Sequence, residues 1–115
     1  MAIASGRQIL ALTAYGVIPA ATSAACREML RYIREYPVTV PRLRQQSAAK
    51  LREIQEQYLG KRVVSEGLKL SGVVKVVYPK KLGLGAWEFM AEVMWDDRRP
   101  VSVVGLRHLV VLQTK

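Results

Sequence analysis

Gly60-Lys-Arg-Val-Val-Ser-Glu-Gly-Leu-Lys-Leu-Ser-Gly-Val-Val-Lys-Val-Val77 is the stretch in which the hydrophobic rhythm of the chain changes. Before Gly60, apolar residues recur at helical spacing. After it come short runs rich in β-branched and aromatic residues, split by Gly and Pro. The runs are Lys61–Ser65, Gly72–Tyr78, Trp87–Trp95, Pro100–Val104 and Leu109–Gln113. Turns are expected at Glu66-Gly67, Pro79–Gly85, Asp96–Arg99 and Gly105–His108. Strands this short and this regularly spaced predict a small barrel or sandwich. The expected fold is therefore α+β: two or three N-terminal helices in residues 1–59, followed by a small five-stranded β-barrel in residues 60–115.

Upstream of the change, residues 5–18 read as a first helix with Ser5 as its N-cap, and Pro19 ends or kinks it. A second helix runs from about Ala20 to Glu35, with Cys26, Met29, Leu30 and Ile33 as its apolar stripe and Arg27, Arg31 and Arg34 on another face. The Pro-containing segment Tyr36–Pro41 reads as an extended linker. Pro41 suits the first position of a third helix and Gly60 its C-terminal cap, with Leu43, Ser47, Leu51, Ile54 and Tyr58 along one face.

Half of the 115 residues are apolar and 23% are charged, so the chain can build a core and disorder throughout is excluded. Its formal net charge of +9 points to an acidic partner: nucleic acid, anionic lipid or an acidic protein surface. With one cysteine, Cys26, and one histidine, His108, neither an internal disulfide nor a Cys/His metal centre is expected. No cofactor is expected, since Leu82-Gly-Leu-Gly-Ala86 lacks the Lys-Ser/Thr of a phosphate loop. Cys26 is expected to pack as a small core residue, and Glu88 and Glu92 to share a solvated strand face. No catalytic set emerges, and the expected role is non-enzymatic.

From Gln8 to Cys26 there is no charged residue. That stretch admits three readings: packed helices, membrane contact, or an acid-poor organelle-targeting start. Downstream, Lys61-Arg62, Lys80-Lys81 and Arg98-Arg99 fall at predicted loops or strand ends, and Arg42 and Arg44 open the third helix. These eight side chains are the candidate contacts for an acidic protein or for phosphates, with Tyr78, Trp87 and Trp95 available for base stacking where exposed.

Two stretches resemble known families. Residues 60–77, with Phe89–Asp97 as a third strand and Gly105-Leu-Arg-His-Leu109 as a short helical turn before the last, resemble a Src-homology-type small barrel of the KOW and Tudor class. Arg27-x-x-Leu30-Arg31-x-x-Arg34-x-x-Pro37 is similar to the tail of the mitochondrial LYR motif, although Ala25 and Cys26 stand at its Leu and Tyr positions. The second resemblance implies an accessory subunit or assembly factor of a mitochondrial respiratory complex, with Arg27, Leu30, Arg31 and Arg34 meeting partner proteins. The reading that follows is an accessory subunit docking among other protein subunits. The alternative is a nucleic-acid-binding module.

Overall fold

The computed structural model describes residues 2–35, 44–83 and 86–112. Three helices, α1 (Gly6–Ala14), α2 (Ser23–Glu35) and α3 (Arg44–Tyr58), precede five strands: β1 (Arg62–Ser65), β2 (Leu70–Gly83), β3 (Ala86–Trp95), β4 (Ser102–Gly105) and β5 (Leu109–Val111). The strands form one antiparallel sheet in the order β4-β3-β2-β1-β5. The fold is α+β with its helices N-terminal, as expected. The sheet, however, is not closed into the expected barrel: β4 and β5 are its two edges, joined by a 3-10 turn over Leu106–His108 instead of by pairing. The expected linker over residues 36–41, with Arg42 and Leu43, lies outside the described residues.

Local chemistry sets the helix ends. At α1, Ser5 and Gln8 form a reciprocal capping box: the Gln8 amide donates to Ser5 Oγ, and the Ser5 amide donates to Gln8 Oε1. Expected to run to residue 18, the helix stops at Ala14 because Gly16 adopts φ +76°. The Val17 amide then bonds back to the Leu12 carbonyl and the Gly16 amide to that of Thr13, while Leu12 and Val17 are both buried. Pro19 therefore follows a stop already made by glycine. At the other join, Gly60 takes φ +72° after α3, as its sequence position implies.

Two residues of α3, the buried Gln55 and the half-buried Arg52, hold the turn after α1. Gln55 accepts from the Ile18 amide and donates to the Ile18 carbonyl, both at 2.9 Å. Arg52 donates to the Tyr15 carbonyl at 2.7 Å. A Cβ on Gly16 would come within 2.9 Å of Arg52 Cδ. Gln55→Leu keeps the volume but leaves both Ile18 backbone groups without their partner, so urea unfolding should show a loss of about 1–2 kcal/mol.

The hairpin β2–β3 is the spine of the sheet. The expected turn at Pro79–Gly85 is corrected: β2 continues through Pro79, Lys80 and Lys81, which pair with Phe89, Glu88 and Trp87. Proline is tolerated there because β1 pairs with β2 only as far as Val73, so beyond it β2 has a strand on one side alone. A bulge at Lys75 shifts the register between Val74 and Val76. Buried positions consequently switch from Gly72 and Val74 to Val77 and Pro79.

Side chains form two clusters. Leu12, Cys26, Met29, Tyr32, Ile33 and Leu51 anchor the helical one, and Val63, Val74, Val77, Ala91, Val93 and Trp95 the sheet one. Val76 and Tyr78 pack against the helical cluster, so β2 is covered by both. Phe89 belongs to both clusters. The ring of Tyr32 sits edge-on to Trp87 and Phe89, each at 5.3 Å between centroids.

Candidate functional site

The predicted basic contacts do not form one surface. Arg42 lies outside the described residues, and of Arg44 only the backbone, at the start of α3, is described. Lys61 is exposed just before β1. Lys80 and Lys81 stand on β2, not on a loop, and Lys81 Nζ reaches Glu35 of α2 at 3.1 Å. Arg31 binds the same carboxylate at 3.2 Å. Glu35 is thereby held below the usual carboxylate range, first by the Lys81 hydrogen bond, which burial opposes, with the Arg31 hydrogen bond and charge adding to the lowering. With its folded pKa lowered, this pair stabilises the protein above the ordinary glutamate range, about pH 4.3, and the contribution is lost as pH falls through the lowered value. Melting curves of the protein should drop on acidification below about pH 4, and Glu35→Gln should flatten that drop.

Three of the predicted residues do converge. Arg62, Arg98 and Arg99 line one groove of about 620 Å³ under the β3–β4 loop. Its floor comes from register: Arg62 pairs with Val73 and Val73 with Met94, which places the three side by side across β1, β2 and β3. The loop residues Pro100 and Val101 form the wall. Asp96 and Asp97 fix that loop. Asp96 accepts from Ser71 Oγ at 2.7 Å and from Arg62, and Asp97 accepts from the Arg99 side chain and backbone. Both carboxyls are held below their usual range, Asp96 by Ser71 first and then Arg62, Asp97 by Arg99. Arg98, at φ +65°, has no ion pair among the described residues.

The aromatic residues proposed for stacking are occupied elsewhere. Trp95 is 3% exposed and donates its Nε1–H to Ser102 Oγ at 2.9 Å. Trp87 packs on Tyr32. Tyr78 is half-buried at the α2 side of the sheet, where burial and then Glu92 and Glu28 push its phenol up.

On α2, Arg27 and Arg34 are exposed, Arg31 is tied to Glu35, and Leu30 packs against the helical cluster. Leu30 and Arg34 share a cleft of about 290 Å³ with Ala11 and Tyr15 of the α1 segment. Cys26 is sealed in the core, where burial pushes its thiol up and its S–H meets the Ala20 carbonyl. His108 is exposed on the 3-10 turn. Glu88 is not simply solvated: it is half-buried and pairs with Arg107 at 3.3 Å.

The uncharged stretch 8–26 divides into α1, the glycine-stopped turn and the start of α2. Among the described residues no helix is long and apolar enough to cross a membrane. Its apolar side chains point two ways: Leu12, Val17 and Cys26 are buried, whereas Leu10 and Ile18 are 73% and 58% exposed. Ile3, in the preceding segment that bridges to Thr22, is 83% exposed. The arginine groove could not be read from sequence pattern alone, because it depends on pairing between distant residues.

Comparison with protein-family models, with curated proteins and with solved structures returns no match, and no residue role is carried over from a relative.

Proposed function

We propose that this protein is a non-enzymatic accessory subunit that docks within a larger protein assembly through its N-terminal helical face. The observation that supports this reading is the exposure of Ile3, Leu10 and Ile18 around a stretch that carries no charge between Gln8 and Cys26. An isolated exposed aliphatic is ordinary, but several in one uncharged segment mark a surface that another protein covers. Arg27 and Arg34, exposed on neighbouring α2, supply a basic border suited to an acidic partner. The partial LYR resemblance on that helix makes a mitochondrial complex the first setting to test. The antiparallel sheet and its 3-10 turn support a resemblance to the small-barrel class.

The competing reading, a nucleic-acid-binding module, draws on the basic sheet surface. It is weakened by the burial of Trp95 and the packing of Trp87, which leave the groove without a stacking platform. Affinity purification from the native source, with nuclease and a high-salt wash, separates the two. The docking reading expects a defined stoichiometric set of subunits with the wild type. It expects loss of that set with Leu10→Asp, whose melting point should be unchanged because Leu10 faces solvent. Recovery of nucleic acid alone, or an identical set with Leu10→Asp, contradicts it.

A further inference from the structure

We infer that the groove under the β3–β4 loop is a second docking site, and that it takes an acidic, aliphatic peptide segment of a partner protein. This rests on the docking reading in that the ligand is a protein, but it concerns a different surface and is carried by different residues.

The floor is aliphatic. Val73 and Met94 stand side by side on the sheet, and Val101 closes one side; Met94 and Val101 are each about half exposed. An unbranched, polarizable Met beside branched aliphatics receives aliphatic side chains of varied shape. The row extends toward the sheet edge, since the Leu112 amide bonds to the Arg62 carbonyl and Leu112 is itself exposed.

The border sets three arginines, Arg62, Arg98 and Arg99, against the single lining carboxylate of Asp96, and the arginine donors are not used up. Each guanidinium carries five N–H donors. Arg62 meets Asp96 through one terminal nitrogen, Nη1, and Arg99 meets Asp97 through the Nε–Nη2 edge of its fork. Both keep donors for an incoming carboxylate, while their aspartates hold the loop in place. Arg98 has no ion pair among the described residues. Charge complementarity therefore selects an anionic ligand, and the floor selects the kind of anion. A base needs a flat aromatic face, and the aromatic residue that lines the groove, Trp95, is only 3% exposed with its ring nitrogen already bonded to Ser102. A peptide with carboxylates flanking Leu, Ile or Val matches both features.

The test is fluorescence anisotropy on the full chain with three labelled probes: an alternating Glu-Leu peptide, the same peptide with Lys for Glu, and a single-stranded RNA oligonucleotide. The Glu-Leu peptide should bind saturably and the Lys-Leu peptide should not. Arg98→Glu and Met94→Glu should each weaken binding by roughly tenfold or more, the effect of losing one anchor residue. Both positions are exposed, and a thermal melt confirms that each variant is folded. Leu10→Asp should bind the peptide like wild type. Equal binding of the Lys-Leu peptide overturns the proposal, as does tighter binding of RNA with a steep salt dependence, or an affinity unmoved by both groove variants. If the peptide fails while the α1-dependent subunit set is still recovered, the groove assignment falls and the docking function stands.

Discussion

Tyr32→Ala should cost about 3–5 kcal/mol of folding stability, the range for truncating a fully buried aromatic. Tyr32 is 2% exposed, and its ring lies edge-on to both Trp87 and Phe89. The edge-to-face geometry adds about 0.5–1.5 kcal/mol per pair beyond area burial. Its ring joins α2 to Trp87 and Phe89 of β3, and Phe89 belongs to both clusters. Truncation should therefore do more than lower the midpoint. Denaturant unfolding should broaden or split, with the helices losing protection before the sheet. Since a domain of this size has on the order of 5–15 kcal/mol in total, the variant should sit near the threshold of folding. Tyr32→Phe, which keeps the ring, should recover most of the loss. A single sharp transition with a loss under about 1 kcal/mol would show that Tyr32 does not join the two clusters.

The second large effect is expected at Gly72. A Cβ there would meet the Met94 carbonyl oxygen at 2.5 Å and Val93 Cγ1 at 2.9 Å. The obstacle is backbone of the paired strand, which cannot swing aside as a long side chain would. Gly72 also lies between two neighbours, opposite Val63 of β1 and Trp95 of β3. Gly72→Ala must push strands apart at the centre of the sheet, with an expected cost of about 3 kcal/mol, the upper part of the overpacking range. Because Val73 and Met94 form the groove floor next to this pair, the displacement should also weaken binding of the Glu-Leu peptide. A neutral Gly72→Ala in urea unfolding would contradict this packing.

The elements whose signals are local were legible in the sequence. The Ser5 cap, the α3 stripe of Ser47, Leu51 and Ile54, the Gly60 cap and the 3-10 turn after Gly105 all came from neighbouring residues. What was missed depends on distant partners. Pro79 and the lysines after it read as a turn, but the strand continues because only β3 pairs with it at that point. Gln55 and Arg52 resemble solvated helix residues until the turn at Tyr15–Ile18 is placed against them. Tyr32 lies off the simple stripe of α2, and its role appears only when β3 is packed beside it. The candidate site follows the same division. The paired basic residues were visible, but which of them meet was set by strand register, and Lys81 turned out to serve Glu35 instead.

The most direct test of the docking function is the sedimentation of the endogenous protein in a gentle native extract, after nuclease treatment and at high salt. The account predicts that it travels in one discrete particle well above monomer mass and stays there under both treatments. Sedimentation as a monomer, or as a particle that disappears with nuclease, would contradict it.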